Sequence, residues 1–160
     1  MPMTRTLREL LKFTACVSKV LKDDGYEFTV SQCRNRDFYV ILCNGKIAMH
    51  VYKYSYPLQC LCSVTNAVVN KLREGCQFSG GVWTSTEDEE VFWVGIWVYG
   101  TNEYDITWEV RLRNNKVLLK EKRGKNKPAK TDAAEEMSVE DYFRRLINLI
   151  LLVKEACKDA

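Results

Sequence analysis

The run Val91-Phe92-Trp93-Val94-Gly95-Ile96-Trp97-Val98-Tyr99 constrains the chain more than any other stretch. A strand sends alternate side chains to opposite faces, and here both alternations are apolar and rich in β-branched or aromatic residues. Such a segment reads as an internal strand covered on both sides. Phe92, Val94, Ile96 and Val98 form one set, and Trp93, Trp97 and Tyr99 the other; the missing side chain at Gly95 leaves a notch between two indoles. A single helix layer covers only one set. The even set is expected to meet the helices, and the odd set to meet a partner, a second subunit or a basic loop of the same chain.

The flanking segments supply the helices. Thr6 and Glu9 have capping-box spacing, and Leu7, Leu10, Leu11, Val17 and Leu21 recur at helical intervals until Asp23-Asp24-Gly25, so a first helix is predicted over 6–23. Tyr26, Phe28 and Val30 alternate with polar residues as a half-wet strand. Two apolar runs, 38–43 and 46–54, are joined by Asn44-Gly45, the pair that accepts the two positive φ angles of a type I′ turn. A two-residue loop sets the register, and Leu42, Val40 and Phe38 are expected opposite Ile47, Met49 and Val51. Tyr39, Ile41, Cys43, Ala48, His50 and Tyr52 then share the other face.

Pro57 opens a second predicted helix over 57–74, with Leu58, Leu61, Val68, Val69 and Leu72 on its stripe and Gly75 at its end. Gly80-Gly81 introduces a short strand around Val82-Trp83-Thr84, and Glu87-Asp88-Glu89-Glu90 reads as a solvated hairpin tip. Tyr104, Ile106, Trp108, Val110 and Leu112 alternate with polar residues as another half-buried strand, and Asn114-Asn115 turns into Val117-Leu118-Leu119. Ser138 and Asp141 cap a third helix bearing Val139, Phe143, Leu146, Ile150 and Val153. Leu149, Leu151 and Leu152 add apolar surface outside that stripe, which suits a central helix or an oligomer interface.

The expected fold is α+β: one mainly antiparallel sheet of six to seven strands with helices packed on it, in the order α-βββ-α-ββββ-α, as a two-layer single domain over 1–160. A basic, mobile loop is expected at about 120–137, because 124–134 has no periodicity and contains Pro128. The element order resembles that of type III secretion chaperone-like and YbjN-like domains and, more distantly, profilin. A shared order of elements implies a fold and transfers no function.

With 160 residues the chain is long enough to bury a core. Its most apolar run, 146–153, is interrupted by Asn148 and far shorter than the roughly 20 residues a bilayer needs. Residues 1–5 lead into a polar-faced helix without a signal-peptide core, so an intracellular, cytoplasmic setting is expected. Seven cysteines, an odd number scattered through helices and strands, then read as reduced thiols. Disulfides of the kind hyperthermophile interiors tolerate are the other reading, since Cys33 and Cys43 fall on neighbouring predicted strands.

No catalytic or cofactor motif is present, and the expectation is a non-enzymatic protein without cofactor or metal. Cys43 with His50, the one histidine, is the only conceivable thiol–imidazole pair, and it lacks any surrounding nucleophile signature. Cys60 and Cys62 lie two apart on a predicted helix, so their thiols diverge and do not meet at one zinc ion with Cys76 and His50. Two surface features remain. The apolar sheet face of Trp93, Gly95, Trp97 and Tyr99, with Leu149 and Leu152 of the last helix, suits a protein-interaction, adaptor or chaperone-like role and a homo-oligomer. The basic stretch of Arg111, Arg113, Lys116, Lys120, Lys122, Arg123, Lys125, Lys127 and Lys130 holds only Glu121 against it, while the rest of the chain is net acidic. It suits the alternative of a nucleic-acid-binding accessory protein, in which tryptophans stack bases.

Overall fold

The computed structural model describes residues 4–76, 78–98, 106–124 and 134–158. In chain order the elements are helix α1 (Arg5–Val20), strands β1 (Phe28–Gln32), β2 (Phe38–Cys43) and β3 (Lys46–Tyr52), and helix α2 (Pro57–Arg73). Strands β4 (Phe78–Thr84), β5 (Phe92–Val98), β6 (Ile106–Arg113), β7 (Lys116–Arg123) and β8 (Glu135–Ser138) follow, then helix α3 (Val139–Lys158). The fold is α+β and antiparallel, as expected. The strands make two sheets, β1-β2-β3 and β4-β5-β6-β7-β8, and not one of six or seven. Every ladder joins consecutive strands, and α2 interrupts the succession between β3 and β4. The chain divides into two compact units, Met1–Lys71 and Leu72–Ala160.

In the first unit the helix start differs from the reading at Thr6. Thr4 holds the extended N-cap conformation, and its Oγ1 accepts the Leu7 N–H at 3.1 Å. Thr6 lies buried within the first turn and donates to the Ser55 carbonyl at 3.0 Å, while Glu9 pairs with Lys12 at 2.9 Å. Leu10, Phe13, Val17 and Leu21 are fully buried. A 3₁₀ turn, Lys22–Asp24, ends at Gly25 with φ +80°. The Ser18 hydroxyl then bonds both the amide and the carbonyl of Phe28, fastening β1 to α1.

Asn44 and Gly45 take φ angles of 51° and 80°, the type I′ turn the dipeptide predicts. Leu42 pairs with Ile47 as expected, but the ladder then slips at a β-bulge. Ile41 faces Met49, Val40 faces His50, Tyr39 faces Val51 and Phe38 faces Tyr52, leaving Ala48 unpaired. The expected pairs Val40–Met49 and Phe38–Val51 are each displaced by one residue. Because paired residues share a face, the slip moves His50 and Tyr52 onto the face of Val40 and Phe38, away from Tyr39, Ile41 and Cys43. In α2, Cys60, Leu61, Val64 and Val68 are fully buried, and the helix is followed by Gly75 at φ +77°.

In the second unit β5 is internal, as its double-sided apolarity requires, although β6 holds the centre. Phe92, Val94 and Ile96 are buried and pair with Val110, Trp108 and Ile106, so these six share one face. Helix α3 covers it: Tyr142 meets Trp108 with ring centroids 6.2 Å apart, and the Arg145 guanidinium lies 5.9 Å from the Trp108 ring. Ser138 caps α3 by accepting the Asp141 N–H at 3.0 Å. The whole predicted stripe, Val139, Phe143, Leu146, Ile150 and Val153, is buried. Each such side chain contributes about 1.5–3 kcal/mol relative to exposure. Asn114 and Asn115 both take positive φ, a second tight hairpin. Residues 120–123 and 135–137 of the expected loop belong to β7 and β8, and 125–133 lie outside the described residues. Glu135-Glu136-Met137-Ser138 gives β8 no alternation to read, only the short charged character of a guarded sheet edge.

Candidate functional site

Alternation along β4 to β8 decides what the second face of the five-stranded sheet carries. Gly81 pairs with Gly95, which pairs with Thr107, which pairs with Lys122. On the next rung Trp83, Trp93, Glu109 and Lys120 stand side by side. Arg111 with Leu118 and Glu136, and Arg113 with Lys116 and Ser138, complete this face toward the hairpin tip. None of these side chains is buried, and Trp83, on the edge strand, is 39% exposed.

Trp83 is the shared member of an indole cluster. Its ring lies 6.4 Å from Trp93 at 18° and 5.8 Å from Trp97 at 21°, both near-parallel stacks. The notch at Gly95 is filled from within: a methyl group there would lie 2.3 Å from Cζ2 of Trp97 and 3.0 Å from Cη2 of Trp83. The indoles thus lie against bare backbone, and the glycine is what lets them do so. At Gly81, across the ladder, a methyl group would meet nothing within 4 Å, so the rung stays open on its edge side. Trp93, Gly95 and Trp97 are brought together as one surface; Tyr99 lies outside the described residues. Trp83 joins them through a pairing the sequence signals only by matching Gly81 with Gly95.

The basic residues divide into two groups. Arg111 donates to Asp88 at 3.0 Å and lies 3.8 Å from Glu109. Asp88 belongs to the acidic run expected as a bare hairpin tip; the Glu90 amide and then Arg111 hold its carboxyl below the ordinary range. Arg123 donates to Glu121 at 2.9 Å, and Glu121 also accepts the Trp108 indole N–H at 2.9 Å on the α3 side. Burial pushes the Glu121 carboxyl up, but the Trp108 and Arg123 bonds outweigh it and the net shift is downward. Arg113, Lys116, Lys120 and Lys122 are exposed and have no ion-pair partner among the described residues. Lys125, Lys127 and Lys130 lie outside them.

Of the α3 residues, Leu149 and Leu151 are half-buried and Leu152 is 59% exposed. Cys43 and His50 sit on opposite sheet faces, Cys43 buried and His50 exposed, so the thiol–imidazole pair does not form. No disulfide joins any of the seven cysteines, Cys33 and Cys43 included. Burial, then the charge of Glu9, pushes the Cys60 thiol up to about 12, and burial does the same to Cys62. Among the described residues no three His, Cys, Asp or Glu side chains are grouped to hold a metal ion. No helix of the described residues is long and apolar enough to cross a membrane. Comparison with protein-family models, with curated proteins and with solved structures returned no match.

Proposed function

We propose that the chain is a non-enzymatic binding module that holds a macromolecular partner on the tryptophan face of its five-stranded sheet. The observation that carries this reading is the stack of Trp83, Trp93 and Trp97 over Gly95, on a face with no buried side chain along its tryptophan and lysine rungs. Rigid indoles supply contact area at little cost in side-chain entropy, and for that reason tryptophan is enriched at binding hot spots. Adaptor or chaperone-like work, inside a cell, is compatible with such a surface and with seven cysteines that form no disulfide.

Self-association along the outer flank of α3 is a second element of the proposal, supported by Leu152 at 59% exposure. Light scattering on the wild type and on Leu152→Glu tests it: an assembly that the substitution dissociates supports it, and an unchanged monomer removes it. For the tryptophan face, the immobilised wild type and a Trp83→Ala/Trp93→Ala variant of matched melting behaviour are exposed to one cell extract, with and without nuclease. A component retained by the wild type and lost by the variant supports the reading. Equal retention by both sinks it.

A further inference from the structure

We propose that the partner of the tryptophan face is a single-stranded nucleic acid, its bases stacked on the indoles at Trp83 and its phosphates on Arg113, Lys116, Lys120 and Lys122. This rests on the reading of that face as the binding surface. The register is what brings the two chemistries together: Trp83, Trp93, Glu109 and Lys120 share one rung, and Lys122 ends the neighbouring one. Two strand spacings, about 10 Å, separate Trp93 from Lys120. The face therefore sets an indole cluster, with Trp83 39% exposed, along one edge and cations beside it, the two elements of a single-strand site.

Charge is sorted so that these cations remain available. Asp88 and Glu109 neutralise Arg111, and Glu121 neutralises Arg123. Glu135 is drawn to Arg145 of the helix on the opposite side. Glu109 is the acid that stands between tryptophans and lysines, and Arg111 lies beside it at 3.8 Å. On this face the four cations have no ion-pair partner among the described residues, and they outnumber the one further acid there, the exposed Glu136 beside Leu118. An apolar protein partner would strand them without counterions, whereas a phosphodiester chain pairs with each and releases condensed ions in doing so. A duplex hides its base faces in its own stack, so the indoles select for a single strand.

The test uses the full chain and labelled oligothymidylate, oligouridylate and duplex DNA of equal length, read by fluorescence anisotropy over a salt series. The expected result is that single strands bind and the duplex competes poorly. The slope of log K against log salt should be about −3 for four phosphate contacts. Lys120→Ala/Lys122→Ala, on exposed positions that leave folding unaffected, should cut that slope by about half. Trp83→Ala should weaken binding between about 5-fold and about 150-fold without changing the slope, and Trp83→Phe should recover most of the loss. A preference between the thymidylate and uridylate strands assigns the ligand as DNA or RNA. Absence of single-strand binding at low salt overturns the proposal, as does equal affinity for duplex, equal competition by polyglutamate, or indifference to both the lysine and the tryptophan changes. If oligonucleotides fail while the tryptophan variant still loses a nuclease-resistant component from extract, the nucleic acid falls and the binding face stands. If neither responds, both fall.

Discussion

Gly81 and Gly95 face each other across β4 and β5, yet a methyl group has opposite consequences at the two positions. At Gly95 it would stand 2.3 Å from the Trp97 ring, so Gly95→Ala must expel an indole from its seat and should cost about 1–3 kcal/mol. At Gly81 it meets nothing, and Gly81→Ala should be neutral or add about 0.4–1 kcal/mol by restricting the unfolded chain. Denaturant melts of the two variants check the pair, and equal effects would contradict the indole placement. Glu121 gives a second residue-scale expectation. Its folded carboxyl is held below the ordinary 4.5, so it contributes stability above the unfolded value that is lost as pH falls through the folded one. Glu121→Gln, which keeps an acceptor for the Trp108 indole but loses the charge facing Arg123, should lower stability in the neutral region, converge with the wild type at acid pH, and so flatten the acid limb of a stability–pH profile. At this scale the sequence exposes Trp93, Gly95 and Trp97 as one face because a period of two is unambiguous. It hides the closing of the notch, because a side-chain rotamer and a cross-strand neighbour decide that.

The elements themselves were more legible than the pairings between them. The strand 38–43 and the start of α2 at Pro57 follow from composition, turn residues and periodicity, which are local. The slip at Ala48 does not, because a bulge leaves the apolar pattern of β3 intact while shifting its partner. Thr4 displaced Thr6 as the cap for a tertiary reason: Thr6 is committed to Ser55. β8 is not legible in the sequence, because Glu135-Glu136-Met137-Ser138 carries a single apolar residue and no alternation, and its pairing with β7 is non-local. Two expectations belong here. Ser138→Ala removes the hydroxyl that caps α3 and should cost about 0.5–2 kcal/mol. Gly45→Ala forces an alanine to φ +80° in a hairpin whose register depends on the turn, and should cost about 1–2 kcal/mol. Thermal melts measure both, and a loss at Ser138 with none at Gly45 would contradict the type I′ geometry.

At the scale of the whole molecule, the division of the eight strands among the described residues into two sheets was the least legible feature, since every turn signal concerns neighbours in sequence. Whether β3 and β4 share a ladder depends on where α2 delivers the chain, and no residue in either strand encodes that. Hydrogen exchange should reflect the outcome: the slowest amides fall on β2 and on β5, β6 and β7, each flanked on both sides, and a faster set on the outward-facing amides of β3 and β4. Continuous protection from β3 into β4 would mean a shared sheet. Charge was legible as a basic run along the chain but not as a face. In the second unit acidic residues outnumber basic ones, yet alternation along β6 and β7 turns Arg111, Arg113, Lys116, Lys120 and Lys122 to the side of the tryptophans. A small net charge on the whole chain therefore conceals a local sorting that only the ladder register reveals.

The seat of Trp97 over Gly95 also has an optical consequence. Near-parallel indoles in contact couple their electronic transitions, so Trp83 and its two neighbours form a chromophore distinct from Trp108, which is buried under α3. The protein carries its own reporter: the split circular-dichroism band of the coupled indoles should vanish with Trp83→Ala, persist in Lys120→Ala/Lys122→Ala, and change whenever something settles on that face.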